Sequence, residues 1–478
     1  MFLNYENYLT FIIKYCIILS SKQSEVFSMS ANIYAKAIRK LRDLGANKKG
    51  IFVCNLDLKK SFNVGDKVEC NYDFKEKMIT ITKTLKNQGT HTISFRKSEP
   101  EKPILDLKNK TIYELFRDSE KVEICFYPNK VIVKLSKNEN LKNERISNIN
   151  LTTFELFCGG ATLSHMFKRA GFVPVGGLEI NGKCLDLAEY NHDFKYTILA
   201  DIKDVHVSDL PKNINTVLAG IPCPYFSPSN LSMQKALKNK KDGIMDEDDM
   251  EKIENRYQAE ALTFYVLEIL RHMNPQNIVV EEVVEYSTTT ASQILRSVLK
   301  DMGYKLSETI NEGSHTKRKR WCLVATALEK TVNLDDLLPE TNKTIEDFLD
   351  IKSADRDWKK LEDIQRLLTA SKKSTVGIRT CLPTDTKCNT FTTHRTRSTE
   401  QALKKSENED LYSEFTDSEI ANIHGLVGYK LKNVAKWNRY VLGNGVTDMF
   451  YEVAKRIKRN MIECYRASKE NNVLQLVS

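Results

Sequence analysis

The sequence predicts an α/β fold built on a doubly wound, mostly parallel sheet, and two observations carry the prediction. Between residues 150 and 330, apolar runs typical of strands alternate with amphipathic segments typical of helices. This alternation is characteristic of parallel strands buried on both faces by crossover helices. Glycine, cysteine or charged residues also follow the runs, at the strand ends where such sheets bind ligands. The runs are TTFELFCG, VPVGGLEI, NTVLAGIP, QNIVVEEV and KRWCLVATAL, and the helical segments include ATLSHMFKRAG, NGKCLDLAEYNH, QAEALTFYVLEILRHM and SQILRSVLKDMG.

The length of the chain indicates a protein of more than one domain. The chain has 478 residues, 41% of them hydrophobic, and a formal net charge of +9. A basic balance is compatible with a phosphate-bearing partner but does not establish one. The eleven cysteines form no CxxC pair and no metal-ligand spacing with a histidine. We therefore expect reduced thiols, a cytoplasmic location and no metal cofactor.

The N-terminal segment, residues 1–28, is predicted to be an extension that is either disordered or a mis-assigned start. Its apolar stretch at 8–20 contains Lys14 and is shorter than the roughly 20 residues that span a bilayer. It lacks a basic start and a clear cleavage site, and Met29 opens a segment typical of a protein start. No membrane association is expected.

Residues 29–145 are predicted to form a small β-rich domain. Two similar stretches, 65–83 and 119–137, each predict a strand, a turn and a second strand, because apolar residues recur with a period near two. The pattern NVGDKVECNYDFKEKMITI resembles the swapped-hairpin modules of bacterial transition-state regulators, which bind DNA as intertwined dimers. Lysine-rich hairpins are also common in structural or docking modules, so both roles stay open for this domain.

The remaining segments flank the domain at 150–330. Residues 331–415 are polar and lack the alternating pattern, so we expect an irregular insertion. Residues 416–478 are predicted to return the chain to the α/β domain. There Thr416 and Glu419 have the spacing of a helix capping box, and GNGV predicts a glycine turn into a long helix.

Residues after the first three strands suggest a cofactor that contains a nucleoside. Phe157 and Gly159 lie in a glycine turn, where the backbone can approach a ligand closely. Glu179 follows about 20 residues later and is placed to hydrogen-bond ribose hydroxyls. Asp201, in the segment LADIKD, ends a candidate strand between VPVGGLEI and NTVLAGIP, the third in chain order, and could accept a hydrogen bond from an adenine amino group. Each residue alone is more often a turn or cap residue, and the ordered set carries the prediction.

The later strand ends carry candidate catalytic groups. Cys223 lies between two prolines, which fix the backbone as a nucleophile requires. Glu281 and Glu282 are adjacent and should face opposite sides of their strand, so one of them can enter a cleft as an acid. Arg318 and Arg320 precede the last strand and share one face by alternation.

These motifs together resemble the cytosine-5 DNA methyltransferases, over residues 153–330 and 412–460 and in the family's order. ELFCGGATLSHMFKRAGF is similar to the family's DxFCGxGGxSxGFxxAGF, GIPCPYFS to GPPCQxFS and VVEEV to ENV. Thr316-x-Arg318-x-Arg320 is similar to QxRxR, FTDSEIANIHGL to TxxExxRLQGF and GNGV to GNAV. The resemblance implies a Rossmann-like class I methyltransferase fold, S-adenosylmethionine as methyl donor, and double-stranded DNA as partner.

The resemblance also implies residue roles. Cys223 would add to carbon 6 of a flipped cytosine, which makes carbon 5 able to attack the methyl group. Glu281 would contact ring nitrogen 3 and the amino group of the cytosine, and Arg320 would contact its carbonyl oxygen. Arg318 would order the acidic and phosphate groups nearby. The polar stretch 230–257 resembles an enlarged mobile loop, and 331–415 would recognise the target sequence. The cofactor would contact Phe157, Gly159, Glu179, Asp201 and Asn444.

Four departures from the family pattern indicate a divergent subfamily. Ala161 and Thr162 replace a glycine pair, Pro224 replaces Gln, Glu282 replaces Asn and Thr316 replaces Gln. We expect a monomeric catalytic domain in a prokaryotic, phage or plasmid modification enzyme, with a cognate restriction endonuclease as a possible partner. Two alternatives stay open: an RNA methyltransferase, whose Cys-Phe-Thr motif does not occur here, and a DNA-binding regulator with a degenerate catalytic domain.

Overall fold

The computed structural model describes most of the chain after residue 32. The described residues are 33, 35–84, 89–97, 102–117, 119–222, 225–226, 230–372, 378–393 and 401–477, the last ten of them by backbone alone. The predicted extension at 1–28 lies outside these residues, as does Cys223. The chain forms two compact units, here called the N-terminal unit (Met1–Leu141) and the C-terminal unit (Lys142–Ser478).

The N-terminal unit is built from two antiparallel sheets within the described residues. A six-stranded sheet has the order β1-β9-β10-β5-β4-β6, and a four-stranded sheet has the order β2-β3-β8-β7. The strands are β1 (Ala35–Lys40), β2 (Arg42–Asp43), β3 (Lys49–Cys54), β4 (Lys67–Asp73), β5 (Met78–Lys83), β6 (His91–Thr92), β7 (Ser94–Arg96), β8 (Lys102–Asn109), β9 (Lys121–Tyr127) and β10 (Lys130–Leu135). Helix α1 (Lys110–Leu115) follows β8, and α2 (Lys137–Ser147) spans the division between the units.

Both predicted hairpins of this unit are confirmed. β4 pairs with β5 and β9 with β10, and the two hairpins join because β10 also pairs with β5. Alternate side chains of each strand, such as Val122, Ile124 and Phe126 of β9, are buried in the core of the unit. The period of two that predicted the strands is the alternation of a sheet with one buried and one open face.

The C-terminal unit is built on a seven-stranded sheet with the order β13-β12-β11-β14-β15-β17-β16. Its strands are β11 (Thr152–Leu156), β12 (Val173–Glu179), β13 (Tyr196–Leu199), β14 (Thr216–Gly220), β15 (Asn277–Glu282), β16 (Lys305–Asn311) and β17 (Arg320–Thr326). The neighbours from β13 to β15 pair in parallel, and β17 pairs antiparallel to both β15 and β16. The predicted mostly parallel sheet is therefore confirmed. β16 was not predicted, because its edge position leaves it without an apolar run.

Helices cover both faces of this sheet, as a doubly wound fold requires. Cross-strand neighbours Val217, Ile278 and Ala325 lie in one core, and Leu218, Val279 and Val324 lie in the other. Successive residues of a strand face opposite sides, so burial on both faces explains the continuous apolar runs. The helices are α3 (Thr162–Arg169), α4 (Gly182–Asn191), α5 (Leu231–Asp242), α6 (Glu247–Met273), α7 (Thr290–Asp301), α8 (Gln365–Lys372), α9 (Asp417–Ile423), α10 (Ala435–Asn444) and α11 (Met449–Val477).

Two segments are more regular than the sequence predicted. The polar stretch compared with a mobile loop contains α5 and the first turns of α6. The region 331–415 contains α8 and a small sheet of β18 (Arg379–Cys381), β19 (Gln401–Lys404) and β20 (Tyr412–Glu414). Arg356 of this region forms a buried bidentate ion pair with Glu419 of α9, at 2.6 and 3.0 Å. The predicted capping box of Thr416 and Glu419 is confirmed.

Among the described residues, no helix is both long enough and apolar enough to cross a membrane.

Candidate active site

The turn between β11 and α3 has an unusual backbone. Phe157, Gly159 and Ala161 adopt φ values of 56°, 52° and 57°. A left-handed conformation is uncommon for residues with a side chain, so Phe157 and Ala161 hold local strain. Gly160 is required for a different reason: a Cβ there would overlap the Val441 side chain and lie 2.7 Å from the Tyr429 hydroxyl.

The Glu179 carboxylate closes this turn from the neighbouring strand. Its Oε2 accepts a hydrogen bond from Gly159 N, and its Oε1 accepts one from Asn181 N, both at 2.8 Å. Glu179 is buried at the carboxyl end of β12. Each carboxylate oxygen can accept a second hydrogen bond, so two ribose hydroxyls could donate to the same group.

Two exposed apolar side chains lie next to Glu179: one follows it in the chain, and the other is its register partner on β13. Ile180 is 66% exposed directly after β12, and Leu199 is 60% exposed at the end of β13. Exposed aliphatic groups next to a buried carboxylate fit a ligand with a flat apolar ring and a hydroxylated sugar. The residues present therefore fit a nucleoside-containing cofactor.

The other two predicted cofactor residues have local roles in this structure. Asp201 follows β13 and caps the short 3-10 helix Ile202–Asp204, accepting from Lys203 N at 3.0 Å. Asn444 is exposed as the last residue of α10. The glycine turn that GNGV predicted before a long helix is confirmed, but it begins at Gly445, because α10 continues through Gly443 and Asn444.

A buried carboxylate that the sequence analysis did not identify hydrogen-bonds the first turn of the helix after the glycine turn. Glu155 of β11 is buried, and its Oε2 accepts from Ser164 N at 2.8 Å in the first turn of α3. Ala161 provides no side-chain cap, so Glu155 satisfies a helix N–H in its place. Burial raises the pKa of Glu155 to about 8, and Glu179 and Glu281 contribute in the same direction.

The C-terminal segment contacts the glycine turn directly, and these contacts explain the Thr162 departure. The Tyr429 hydroxyl donates to Gly160 O at 2.6 Å, and the Thr162 hydroxyl accepts from Val446 N at 3.2 Å. A glycine at 162 could not make the second bond. We call this set of contacts, Tyr429 to Gly160 and Val446 to Thr162, the closing clasp.

Two buried histidines add to the closing clasp. His165 Nε2 lies 2.9 Å from Val427 O, and His192 Nε2 lies 3.2 Å from Ala161 O. Burial lowers the pKa of both rings, that of His192 to about 3. Each neutral ring can therefore donate its Nε2–H to a backbone carbonyl.

The segment that carries the predicted nucleophile is anchored at its described residues. Phe226 is buried, with its ring 5.2 Å from Tyr286 and 4.8 Å from the Arg256 guanidinium. Arg256 Nη1 also donates to Tyr225 O at 3.2 Å. β14 ends at Gly220, so Cys223 follows the central strand by three residues.

Glu281 and Arg320 come together at the end of the neighbouring strands. Arg320 Nε lies 2.7 Å from Glu281 Oε1, and the two side chains are only 12% and 11% exposed. Glu281 pairs in register with Gly220, and a Cβ on Gly220 would lie 3.6 Å from Glu281 Oε2. The absence of a side chain at 220 thus leaves space beside the carboxylate. The structure brings two of the predicted catalytic groups to one point.

Glu282 lies on the opposite face of β15, as the alternation predicted. It is 1% exposed, and its Oε2 accepts from Val283 N at 2.6 Å. Its Oε1 has no hydrogen-bond partner among the described residues. Burial, followed by the charge of Glu281, raises the pKa of Glu282 well above its usual range. A raised pKa favours the uncharged carboxyl, the form most similar to the uncharged Asn of the family motif.

Arg318 is buried, and its charge acts on the buried ring of His424, as that of Arg320 does. Arg318 is 3% exposed and His424 is fully buried, with its ring 5.8 Å from Phe391. Burial lowers the pKa of His424 well below its usual range, and the charges of Arg318 and Arg439 act in the same direction. Arg318 therefore lies close enough to His424, the residue after α9, for its charge to affect that ring.

Comparison with known proteins places this geometry in a family. The model for C-5 cytosine-specific DNA methylases matches residues 151–467. No curated protein matches the chain at a significant level. Among solved structures, S. pombe Dnmt2 methyltransferase is 22% identical, with 66% of this chain and 99% of that chain covered and a TM-score of 0.50.

Two further structures are similar over the same region. The Entamoeba histolytica methyltransferase EhMeth is 17% identical, with 66% and 98% of the two chains covered and a TM-score of 0.47. A mutant of Spodoptera frugiperda DNMT2 is 16% identical, with 65% and 99% covered and a TM-score of 0.47.

The fold shared with S. pombe Dnmt2 is that of a class I methyltransferase. The family match shows that the C-terminal unit is a methyltransferase enzyme. The chain belongs to the C-5 cytosine-specific DNA methylase family.

Proposed function

We propose that the protein transfers a methyl group from S-adenosylmethionine to carbon 5 of a cytosine flipped out of duplex DNA. The observation that carries the proposal is the buried Glu281–Arg320 pair beside Gly220, three residues before Cys223. A carboxylate and a guanidinium at adjacent strand ends match the polar edge of a cytosine ring, and Cys223 follows the end of the next strand by three residues in the sequence. The family match supports the same reaction.

The cofactor would bind at the glycine turn. Glu179 would accept hydrogen bonds from ribose hydroxyls, and Ile180 and Leu199 would contact the adenine ring. Phe157, Gly159, Asp201 and Asn444 remain proposed contacts on the strength of their positions in the family motifs. When bound, S-adenosylmethionine supplies an electrophilic methyl group.

The target base would be activated by groups on β15, β17 and the segment after β14. Cys223 would add as a thiolate to carbon 6, giving carbon 5 the electron density to attack the electrophilic methyl group. Loss of the proton from carbon 5 would then expel the thiolate and restore the double bond between carbons 5 and 6. Glu281 would hold ring nitrogen 3 and the amino group, and Arg320 the carbonyl oxygen. Because Arg320 is already fixed by Glu281 at 2.7 Å, little reorganisation would be needed when charge develops on the ring.

The base can reach these groups only outside the helix, because stacked bases expose neither face. Unstacking costs a few kcal/mol, offset by pocket contacts. We propose that residues 331–415 read the DNA sequence and that α5 with the start of α6 lies against the DNA. We further propose a modification role beside a cognate restriction endonuclease, in a prokaryotic, phage or plasmid setting.

The test is methyl transfer from labelled S-adenosylmethionine to mixed-sequence duplex DNA and, in parallel, to RNA, with nucleoside analysis. We expect 5-methylcytosine in DNA from the wild type, none from Cys223→Ser, and a loss of about 100-fold or more from Glu281→Gln. Glu285→Gln is the matched control, because Glu285 is exposed just after β15; its rate should stay within about twofold of wild type.

Three results would contradict the proposal. Methylated RNA without methylated DNA would establish the RNA alternative. DNA binding without any methylated base would favour the regulator with a degenerate catalytic domain. Full activity in Cys223→Ser would refute the assignment of Cys223 as the nucleophile. The modification role has its own assay, protection of methylated DNA from a restriction digest.

A further inference from the structure

The part of the six-stranded sheet formed by β1, β9 and β10 has a basic open face, and the acidic Glu69 and Asp73 lie on the same face two strands further, on β4. The register of β1, β9 and β10 puts alternate residues of each strand on this face, opposite the buried core. The basic residues there are Lys36, Lys40, Lys121, Lys130 and Lys134, which we call the lysine face. On these three strands Glu123 is the one carboxylate of the same face.

The single carboxylate is already used by two of the lysines. Lys36 Nζ and Lys134 Nζ each lie 3.4 Å from Glu123 Oε1. Lys40, Lys121 and Lys130 form no ion pair within the described residues. The lysine face, with five lysines and one glutamate, therefore has a net positive charge.

One cross-strand pair is unfavourable for the stability of the sheet itself. Lys40 of β1 lies directly opposite Lys121 of β9 in the antiparallel register. Like charges at directly opposed positions destabilise a sheet, by up to about 1 kcal/mol. Stability does not explain this arrangement, and an anionic partner does.

The spacing of the lysines fits the phosphates on either side of a DNA groove. β1 and β10 are separated by β9, so their lysines form two rows about 10 Å apart, and lysines four residues apart in one strand are about 13 Å apart. The major groove of DNA is about 12 Å wide, and lysine side chains can adjust by several ångström. Ile38 between Lys36 and Lys40 is 56% exposed, so the face is open to a partner.

We propose that the lysine face binds the phosphate backbone of duplex DNA without reading its sequence. The choice of DNA rests on the proposed function, because the same chain then acts on DNA through its C-terminal unit. A second contact to the backbone would raise the local concentration of DNA by avidity. Phosphate contacts carry affinity and salt dependence, and base contacts carry specificity.

The experiment measures binding of the full chain to a labelled duplex of A·T pairs, by fluorescence anisotropy at several salt concentrations. This duplex contains no cytosine, so its binding is independent of the methyl-transfer chemistry. The test variant is Lys40→Gln with Lys121→Gln and Lys130→Gln, which leaves the ion pairs of Glu123 intact. The control has the same net charge: Lys48→Gln with Lys59→Gln and Lys110→Gln, at exposed positions of the same unit away from the lysine face.

Each lost phosphate contact lowers the slope of log affinity against log salt by about 0.9. We expect the test variant to lose about 2.7 from this slope, so raising salt from about 50 to 200 mM weakens wild type about 40-fold more than the variant. Its thermal midpoint should stay equal or rise, because the Lys40–Lys121 repulsion is relieved. The control variant should keep the wild-type slope.

Two results would overturn the proposal. Equal slopes for the test and control variants would mean that only net charge matters. A slope change on anionic lipid vesicles or on an RNA duplex, but not on the A·T duplex, would assign the lysine face to another partner. Loss of methyl transfer by wild type would leave this binding measurement interpretable, because no cytosine takes part in it.

Discussion

Removal of the Arg356 guanidinium should destabilise the C-terminal unit strongly. The perturbation is Arg356→Met, which keeps the aliphatic part of the side chain. In the structure Glu419 is fully buried and accepts four hydrogen bonds, two of them from Arg356 at 2.6 and 3.0 Å. The other two come from the backbone N–H groups of Thr416 and Asp350. Without Arg356 the buried carboxylate loses its only charged partner among the described residues.

The expected loss follows from the burial of the pair. Breaking one side of a buried ion pair costs about 3 to 5 kcal/mol, because an uncompensated charge stays behind. The C-terminal unit has about 340 residues, and an unfolding entropy of about 2.1 cal/mol/K per residue then converts this cost to a fall of about 4 to 7 °C in the thermal midpoint.

Tryptophan fluorescence is the suitable assay, because all three tryptophans, Trp321, Trp358 and Trp437, lie in the C-terminal unit. The matched control is Arg366→Met, which removes an exposed pair with Glu414 at 2.8 Å. Exposed pairs contribute about 0 to 1 kcal/mol, so this midpoint should fall by no more than about 1 °C. Adding Glu419→Gln to Arg356→Met should recover part of the loss. Equal midpoints for the two single variants would refute the reasoning.

Two further predictions concern the glycine turn. The pKa of Glu155 is raised to about 8 by burial, so between about pH 4.5 and 8 the unfolded chain has released a proton that the folded chain keeps, and stability falls as pH rises. Glu155→Gln should therefore flatten the pH dependence of urea unfolding over that range by up to about 5 kcal/mol, and an unchanged profile would contradict the assignment. Gly160→Ala would overlap Val441 and should weaken S-adenosylmethionine binding at least tenfold by calorimetry; overpacking of this kind costs about 1 to 3 kcal/mol. Gly182→Ala, whose Cβ would make ordinary van der Waals contact with Leu199 at 3.5 Å, is the comparison and should lose less affinity than Gly160→Ala.

Apolar runs predicted the sheet well, because burial on both faces leaves a continuous pattern in the sequence. They failed where burial is partial. β16 has polar residues at several positions, and α5 with the first turns of α6 is rich in lysine and acidic residues, so neither produced an apolar pattern. The turn after α10 was placed too early, because the glycine at 443 lies inside the helix. Glycine is common where helices end, but a glycine does not force a helix to end.

The candidate site was predicted through strand ends, and the residues it missed are those whose role depends on three-dimensional contacts. Glu155 lies inside an apolar strand and would have drawn attention only as a carboxylate in a buried run. His192 and Tyr429 act through backbone carbonyls of the turn, which no motif reveals. Thr162 looked like a defect in the glycine pair, but its hydroxyl accepts from a residue 284 positions away.

The closing clasp has a consequence for the way this chain folds. Its two hydrogen bonds join residues separated by 269 and 284 positions. Contacts of such sequence separation require the closure of very long loops and form late, since nearby contacts must first organise the chain. During synthesis the cofactor turn would emerge from the ribosome long before its partners at 429 and 446. The nascent chain would therefore hold an unfinished glycine turn, the proposed cofactor site, until translation is almost complete. A ligand that binds the finished turn would then favour the folded state by mass action.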